Sequence, residues 1–242
     1  MLPKGSFATL ANGFQFHYHD GGQGDVVLFL HGSGTGASGF TNFKKNIDFF
    51  QRNGFRTIVP DLPGYGFSDK PEDEIYTMSF FNNLLLELLD HLNIANCSVV
   101  GNSLGGALAM GLSLEQPKRF SKLILMAPGG LEDFNAYQEM PGIKKLLGDF
   151  LGGEMNQEKI EGLLKLFPYD PSFVTKDIIE DRMEILPLMN QQVLASMDIP
   201  NLSEKLKNNQ TPVLAFWGSN DLFIPASGIN KILDLYTNSR VV

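Results

Sequence analysis

The stretch Gly101-Asn102-Ser103-Leu104-Gly105 decides the fold of this chain, because it joins two different kinds of sequence pattern. Before it, residues 98–101 are typical of a buried strand, and after it residues 104–114 form a helical stretch rich in small residues. A G-x-S-x-G between a strand and a helix forms a sharp turn that needs glycine wherever a side chain would clash. The pattern predicts that the Ser103 hydroxyl projects clear of a sheet.

Other short apolar runs, rich in β-branched residues, alternate with stretches of helical period on both sides of this turn. Strands are predicted at residues 26–30, 56–59, 122–127 and 213–216, and helices at residues 76–92 and 226–236. This alternation predicts an α/β fold with a mostly parallel sheet and helices on both faces. Residues 240–242 resemble the beginning of one more strand.

The alternation stops after Ala127. Residues 131–209 contain no good buried strand, and their helical stretches carry many Met and Phe residues. We interpret them as a helical cap inserted between two parts of a core, residues 1–130 and residues 210–242. Flexible Met and aromatic side chains suit a surface that must close over an apolar ligand.

Composition limits the classes of function. The length of 242 residues suits one large α/β domain or a core with one inserted subdomain. The net charge of -8 argues against nucleic-acid and anionic-membrane partners, which the surface would repel. The chain start lacks a secretory h-region, and Cys97 is the single cysteine. We expect a cytoplasmic protein without cofactor or metal ion.

Ser103 is predicted to be a nucleophile for acyl transfer; the competing interpretation is a tight turn without chemistry. At a helix start, exposed N–H groups and the helix dipole favour developing negative charge. The turn indicates the α/β-hydrolase fold, in which the residue after the nucleophile and an early loop donate the oxyanion-hole N–H groups. Residues 31–34 form that loop, so the predicted donors are the amides of Ser33 and Leu104.

The acid of a catalytic triad is expected after a late strand. Asp221 follows the strand at residues 213–216 and would orient the base and stabilise its imidazolium. Asp133, after the preceding strand, is the alternative acid, and a turn or helix-cap role is the other interpretation of Asp221. His31 is interpreted as a structural hydrogen-bonding residue rather than as the base.

No histidine follows the nucleophile. The histidines, all of which precede Ser103, are His17, His19, His31 and His91. The order in α/β-hydrolases is Ser, acid, His, so we expect the catalytic histidine beyond Val242. Residues 1–242 alone are expected to be nearly inactive, because a serine without a base is a weak nucleophile. His91 is predicted to lie on the surface, and His17 and His19 in a peripheral strand.

Several segments point to a particular family. They are residues 31–37 (HGSGTGA), residues 101–107 (GNSLGGA), residues 123–130 (LILMAPGG) and the acid loop, residues 217–225. Together with Asn42, Asn102 and the spacing of Phe167 and Arg182, they resemble the meta-cleavage-product hydrolases, which are carbon–carbon bond hydrolases of bacterial aromatic degradation. Thr35 stands where this family usually has proline. The similarity covers nearly the whole chain.

The resemblance implies a 2-hydroxy-6-oxo-hexa-2,4-dienoate as small-molecule substrate. Arg182 would bind its carboxylate in a bidentate manner, and Asn42 and Asn102 would hold its 2-oxo end. Phe167 would line the apolar side. Ser103 would attack the C6 carbonyl, after which the C5–C6 bond breaks. Many members of the family are homo-oligomers, so a homo-oligomer stays open here.

Two other functions are compatible with the same residues. A carboxylesterase could use the same fold and triad, since neither chooses the substrate. A non-catalytic binding protein would use the pocket without a base. Arg182 also has an alternative role, a surface ion pair with Glu180 or Asp181.

Overall fold

The computed structural model describes residues 2–207 and 209–242; Met1 and Asn208, which fall in the predicted core and cap segments, lie outside the described residues. The described part contains one eight-stranded sheet. Its strands are β1 (Ser6–Thr9), β2 (Gln15–Gly21), β3 (Asp25–Leu30), β4 (Phe55–Pro60), β5 (Cys97–Asn102), β6 (Phe120–Met126), β7 (Val213–Phe216) and β8 (Ser239–Val241).

The spatial order of the strands is β1-β2-β4-β3-β5-β6-β7-β8. Strand β2 runs antiparallel to both of its neighbours, β1 and β4, and all other pairs are parallel. This confirms the predicted mostly parallel sheet. The carboxyl ends of β3, β5, β6 and β7 consequently meet at one edge of the sheet, where ligand sites of open α/β sheets form.

The central strands are buried on both faces. In β3, Leu28 and Leu30 pack into the larger apolar cluster, whereas Val27 and Phe29 pack into a smaller cluster on the opposite face. Side chains alternate between the faces of a strand, so a continuous apolar run requires cover on both sides. Four helices, together with the rest of the chain, provide that cover: α1 (Gly39–Arg52), α2 (Met78–His91), α3 (Leu104–Glu115) and α10 (Gly228–Leu235).

Helix α1 is not among the predicted elements, although its sequence carries two helix signals. The Ser38 hydroxyl accepts a hydrogen bond from the Thr41 N–H, and the Thr41 hydroxyl accepts one from the Ser38 N–H, which is a capping box. Phe43 and Ile47, four residues apart, are buried against the sheet. The glycines of residues 32–39 obscured the beginning of this helix.

Between β6 and β7 the described residues form helices joined by turns and loops, without a strand, and two isolated bridges pair Asp198 with Thr77 and Asn209 with Tyr236. We call residues 131–207 the helical segment and the remaining described residues the sheet region. The helices of the segment are α4 (Phe134–Gln138), α5 (Pro141–Leu151), α6 (Gln157–Leu164), α7 (Lys176–Ile185), α8 (Gln191–Ser196) and α9 (Ser203–Leu206), with short 3-10 turns at Pro171–Phe173 and Leu186–Leu188.

The helical segment has a small apolar cluster of its own, formed by Met155, Ile160 and Leu163. The last part of the segment packs against the sheet region instead, since Leu202 and Leu206 are buried in the main cluster there. The division at residue 209 stays a prediction. No helix in the described part of the chain is long and apolar enough to cross a membrane.

Candidate active site

Ser103 lies at the junction of β5 and α3 with φ 52° and ψ -112°. A positive φ is uncommon for a residue with a side chain and is typical of the strained turn that displays a nucleophile. Hydrogen bonds of the main chain hold it there. The Ser103 N–H donates to the Met126 carbonyl at 3.0 Å, and the Ser103 carbonyl accepts from the N–H groups of Gly106 and Gly129.

Two glycines allow this turn because neighbouring main chain fills the space that a side chain would need. A Cβ on Gly105 would collide with the Leu30 carbonyl oxygen, and a Cβ on Gly101 would collide with the Gly105 carbonyl oxygen. Helix α3 can therefore approach β3 and β5 closely only with glycine at both positions.

The loop after β3 lies directly against Ser103. A Cβ built on Gly32 would be 3.2 Å from the Ser103 Cβ. The N–H groups of Ser33 and Leu104, the predicted oxyanion donors, have no hydrogen-bond partner among the described residues. Unpaired main-chain donors beside a serine hydroxyl are what an oxyanion hole requires. Their role stays a prediction.

His31 is fully buried and uses both ring nitrogens on the main chain. Its Nε2 accepts the Leu62 N–H at 2.9 Å, so its Nδ1, 2.8 Å from the Gly32 carbonyl oxygen, carries the proton and donates to it. Burial lowers the pKa of His31 to about 4. This confirms the interpretation of His31 as a structural residue.

The contact with Gly32 also orients the next amide. The Gly32 carbonyl and the Ser33 N–H belong to one planar peptide unit and point in opposite directions. Because the carbonyl is held by the His31 ring, the Ser33 N–H points away from that ring. Ser33 itself lines the cavity described next.

A cavity of about 740 Å³ opens between the carboxyl edge of the sheet and the helical segment. Ser103, Asn42 and Asp221 line it from the sheet region, and Phe167 and Arg182 line it from the helical segment. The structure thus brings together residues that are far apart in the sequence. Most of the remaining wall is apolar, as is usual for a site that binds a small molecule.

Asp221 follows β7 and faces the cavity. Its Oδ1 accepts the N–H groups of Phe223 at 2.8 Å and Ile224 at 2.9 Å, while its Oδ2 has no hydrogen-bond partner among the described residues. A carboxylate held by one oxygen can orient an imidazole with the other. The alternative acid, Asp133, is exposed, accepts a hydrogen bond from Asn201 and does not line the cavity.

Asn42 and Asn102 form a pair on the cavity wall. The Asn102 Nδ2 donates to the Asn42 Oδ1 at 3.1 Å, and the Gly32 N–H approaches the same oxygen at 3.5 Å. The Asn42 Nδ2 in turn donates to the Ser38 carbonyl at 3.3 Å. The side chains are therefore held against the oxyanion loop, although they come from α1 and β5.

Arg182 projects from α7 and is partly buried. Its only hydrogen-bond contact among the described residues is a long one, from Nη1 to the Thr35 carbonyl at 3.5 Å, and its Nε has no partner there. Burial lowers the pKa of Arg182 to about 10, although the nearby Asp181 charge opposes this.

The proposed surface ion pair of Arg182 is not present among the described residues, because its acidic neighbours have other partners. Asp181 pairs with Lys44 and Glu180 pairs with Lys176. The Arg182 guanidinium therefore lies beside the cavity without a carboxylate of the protein. This leaves its charge available for an anionic ligand.

Phe167 stacks on Phe223, with ring centroids 4.1 Å apart and an interplanar angle of 8°. The stack joins the helical segment to the loop that carries Asp221. The Phe167 side chain is still 61% exposed, so this contact can adjust to a ligand without disturbing a packed core.

The four histidines lie away from the cavity wall. His91 is exposed, as predicted. His17 and His19 lie in β2, which is next to the edge strand β1, as predicted; the His17 side chain is nevertheless buried, and its Nδ1 lies 2.8 Å from the Asp61 Oδ2. Strand β1 covers the outer side of β2, which local sequence patterns do not reveal. The sequence also did not single out Phe223, which lines the cavity, or Lys44, which does not; both contact the helical segment.

Comparisons with known proteins agree with this architecture. Residues 25–155 match the family model of the alpha/beta hydrolase fold. The 2-hydroxy-6-oxo-6-phenylhexa-2,4-dienoate hydrolase of Burkholderia cepacia is 34% identical over 222 residues, which are 88% of this chain and 77% of that protein. The 2-hydroxy-6-oxononadienedioate/2-hydroxy-6-oxononatrienedioate hydrolase of Comamonas testosteroni is 33% identical, with the same coverage.

Among solved structures, the chain is similar to the meta-cleavage product hydrolase of Pseudomonas fluorescens IP01. The TM-score is 0.84 at 26% sequence identity, and the superposition covers 98% of this chain and 88% of that one.

Proposed function

Since this chain belongs to the α/β-hydrolase family and, within it, to the meta-cleavage product hydrolases, we propose that it hydrolyses a carbon–carbon bond in a 2-hydroxy-6-oxo-hexa-2,4-dienoate. The observation that carries the proposal is the cavity in which Ser103 and an unpaired Arg182 both lie. The relatives favour this function over a carboxylesterase and over a non-catalytic binding protein.

In the proposed reaction, Arg182 binds the substrate carboxylate. The dienol first ketonises, as the 2-hydroxyl gives up its proton and C5 takes one up, and the Asn42–Asn102 pair holds the resulting 2-oxo end. Ser103 attacks the C6 carbonyl, and the Ser33 and Leu104 N–H groups stabilise the tetrahedral oxyanion. The C5–C6 bond then breaks, its electron pair leaves on the dienoate-derived fragment, which takes up a proton, and water hydrolyses the acyl-serine.

Asp221 would orient the imidazole that takes the Ser103 proton. Its two main-chain hydrogen bonds fix the carboxylate at the cavity wall and leave Oδ2 for that contact. The cytoplasmic location and a homo-oligomeric state stay predictions.

The substituent at C6 can be proposed from the charges of the cavity. One group of relatives is named for a substrate with a 6-phenyl group, and another for a dioate, which carries a second carboxylate. Among the described lining residues the charged side chains are those of Arg182 and Asp221, and α5 and α6 contribute Leu146, Ile160 and Leu163. A second carboxylate against that wall would lose its hydration without a partner. We therefore propose an apolar C6 substituent.

The experiment that tests the proposed function removes the guanidinium. Arg182→Ala should lower kcat/KM for 2-hydroxy-6-oxo-6-phenylhexa-2,4-dienoate by about two to three orders of magnitude, because a charge-assisted bidentate contact is lost. The methyl ester of the same dienoate, which has no carboxylate charge, should be affected by less than about threefold. Equal losses on both compounds would contradict carboxylate binding by Arg182, and faster hydrolysis of simple esters than of the dienoate would favour a carboxylesterase.

A further inference from the structure

Lys44 connects the sheet region to the helical segment through two carboxylates. Its Nζ lies 2.7 Å from the Asp177 Oδ2 and 2.5 Å from the Asp181 Oδ2. Lys44 belongs to α1, two residues after Asn42, whereas both aspartates belong to α7. The side chains of Lys44 and Asp181 are only 19% and 18% exposed, so their contact is screened much less than a surface pair.

The residues of α7 divide into two neighbouring stripes. Asp177 and Asp181, one helical turn apart, face Lys44, and Ile178 and Arg182, also one turn apart, line the cavity. The helix therefore carries an anionic stripe directly beside the cation that faces the cavity. Its backbone also packs tightly on the oxyanion loop, since a Cβ on Gly36 would collide with the Arg182 main chain.

Lys44 affects the balance of charge around the Arg182 guanidinium. Asp181 is close enough to act electrostatically on the Arg182 guanidinium. Without Lys44, the Asp181 carboxylate would lack its cation partner beside the Arg182 guanidinium, and its negative charge would offset the positive charge that attracts an anionic substrate. With Lys44 present, Asp181 pairs with Lys44, and Arg182, on the cavity side, has no carboxylate partner among the described residues.

We propose that Lys44 is a positioning residue for carboxylate recognition: it pairs with Asp177 and Asp181 and so keeps Asp181, the acid beside Arg182, from neutralising the guanidinium on the cavity side. The proposal rests on the proposed function, because it takes a carboxylate-bearing substrate as the ligand of Arg182. Lys44 itself does not line the cavity.

The test measures binding rather than turnover, in the full chain with Ser103→Ala as background. Titration with 2-hydroxy-6-oxo-6-phenylhexa-2,4-dienoate, followed by its own absorbance, gives a Kd for the acid, and its methyl ester gives a Kd for a neutral ligand of nearly the same shape. Lys44→Met should raise the Kd of the acid by about tenfold at low ionic strength and leave the Kd of the ester within about twofold. Lys44→Arg should retain tight binding of the acid.

A matched control is available on the same helix. Lys176 pairs with Glu180 one turn away and is 88% exposed. Lys176→Met changes the net charge of the protein as much as Lys44→Met does, but it leaves Asp181 paired with Lys44. The Kd of the acid should therefore stay within about twofold of the background value, as expected for an exposed pair.

Two double variants separate charge balance from mechanical support. Lys44→Met/Asp181→Asn removes the competing carboxylate and should recover most of the lost affinity for the acid. In an Arg182→Ala background, Lys44→Met should cause no further loss, because both changes act through one guanidinium. If Lys44 only clamped the helices, neither result would occur, and the acid and the ester would weaken together.

The outcomes distinguish the two proposals. An unchanged Kd for the acid in Lys44→Met, or an equal loss for acid and ester, would overturn the role of Lys44 and leave the proposed function intact. If the Ser103→Ala background bound neither ligand, the proposed function would fail and the role of Lys44 with it.

Discussion

The sheet region and the helical segment form opposite walls of the same cavity. The sheet region contributes mainly main-chain groups around Ser103, whereas the helical segment contributes side chains. Around Ser103 the wall is mainly main chain: a strained turn, two unpaired amides and a loop held by the buried His31 ring. The helical segment contributes side chains, among them Arg182 and Phe167.

Under the proposed function, this difference assigns the chemistry to the sheet region and substrate recognition to the helical segment. Main-chain groups are positioned by the sheet and by close packing, and they meet atoms that every substrate of the reaction shares. Side chains on small helices meet the parts in which substrates differ. Changes in the sheet region should therefore reduce turnover of all substrates, whereas changes in the helical segment should alter the choice between them.

The largest effect is expected at Ser103. Ser103→Ala should reduce hydrolysis of the dienoate and of its methyl ester alike, by at least about four orders of magnitude, because the nucleophile is lost. Steady-state and single-turnover rates on both compounds check this. Retained turnover in the alanine variant would show that the reaction does not pass through this hydroxyl.

A companion variant tests the strain at the same position. Glycine adopts a positive φ without the clash that alanine suffers, so Ser103→Gly should be more stable than Ser103→Ala by about 1 kcal/mol. Urea denaturation of the two inactive proteins measures the difference. Equal stabilities would mean that φ 52° costs nothing here.

A smaller effect is expected at His31. His31→Leu keeps a similar volume but removes both contacts, so the Ser33 amide loses its orientation and the Leu62 N–H loses its partner. We expect kcat to fall by about hundredfold on acid and ester alike. The free energy of unfolding should fall by about 2–4 kcal/mol for two unsatisfied buried groups. A loss confined to the carboxylate-bearing substrate would contradict the separation of chemistry from recognition.

The pH dependence of stability offers an independent check on His31. Its pKa is lowered by burial from 6.5 to about 4. Between these values the unfolded chain binds a proton at this residue and the folded chain does not, so the free energy of unfolding decreases as pH falls from 6.5 toward 4. This contribution reaches about 3 kcal/mol at most, and His31→Leu should lose it. If the free energy of unfolding depended on pH in the same way with and without His31→Leu, a neutral His31 would be contradicted.

The smallest effect is expected in the helical segment. Leu146→Lys places a cation on the apolar wall, so it should narrow the preference for the 6-phenyl dienoate over the nonadienedioate by about tenfold. The ratio of kcat/KM for the two substrates is the measurement. Leu147→Lys, at a neighbouring exposed position outside the cavity wall, is the matched control and should leave the ratio unchanged. A common loss on both substrates would instead indicate damaged packing.

Much of the sheet region could be predicted because its signals are local. The predicted strands agree with β3 to β7 within two residues at each end, and the position of Asp221 follows from its place after β7. Helix α1 was hidden because the glycines before it indicate a turn more strongly than its capping box indicates a helix.

Contacts between residues far apart in the sequence could not be predicted from local patterns. The His17–Asp61 pair, the Phe167–Phe223 stack and the bond of Lys44 to Asp181 join residues separated by 44, 56 and 137 positions. No periodicity in the sequence relates such partners, since each pair forms only after the strands have been ordered and the helices packed.

The sequence alone indicated the position of a nucleophile, because a G-x-S-x-G between a strand and a helix is typical of a sharp turn that exposes the serine hydroxyl. It also determined the parallel sheet, through apolar runs that must be buried on both faces. The tertiary structure decided which charges remain free. Arg182 is one of many cations in the sequence, and the fold places it at the cavity while Lys44, from another part of the chain, pairs with Asp181 beside it.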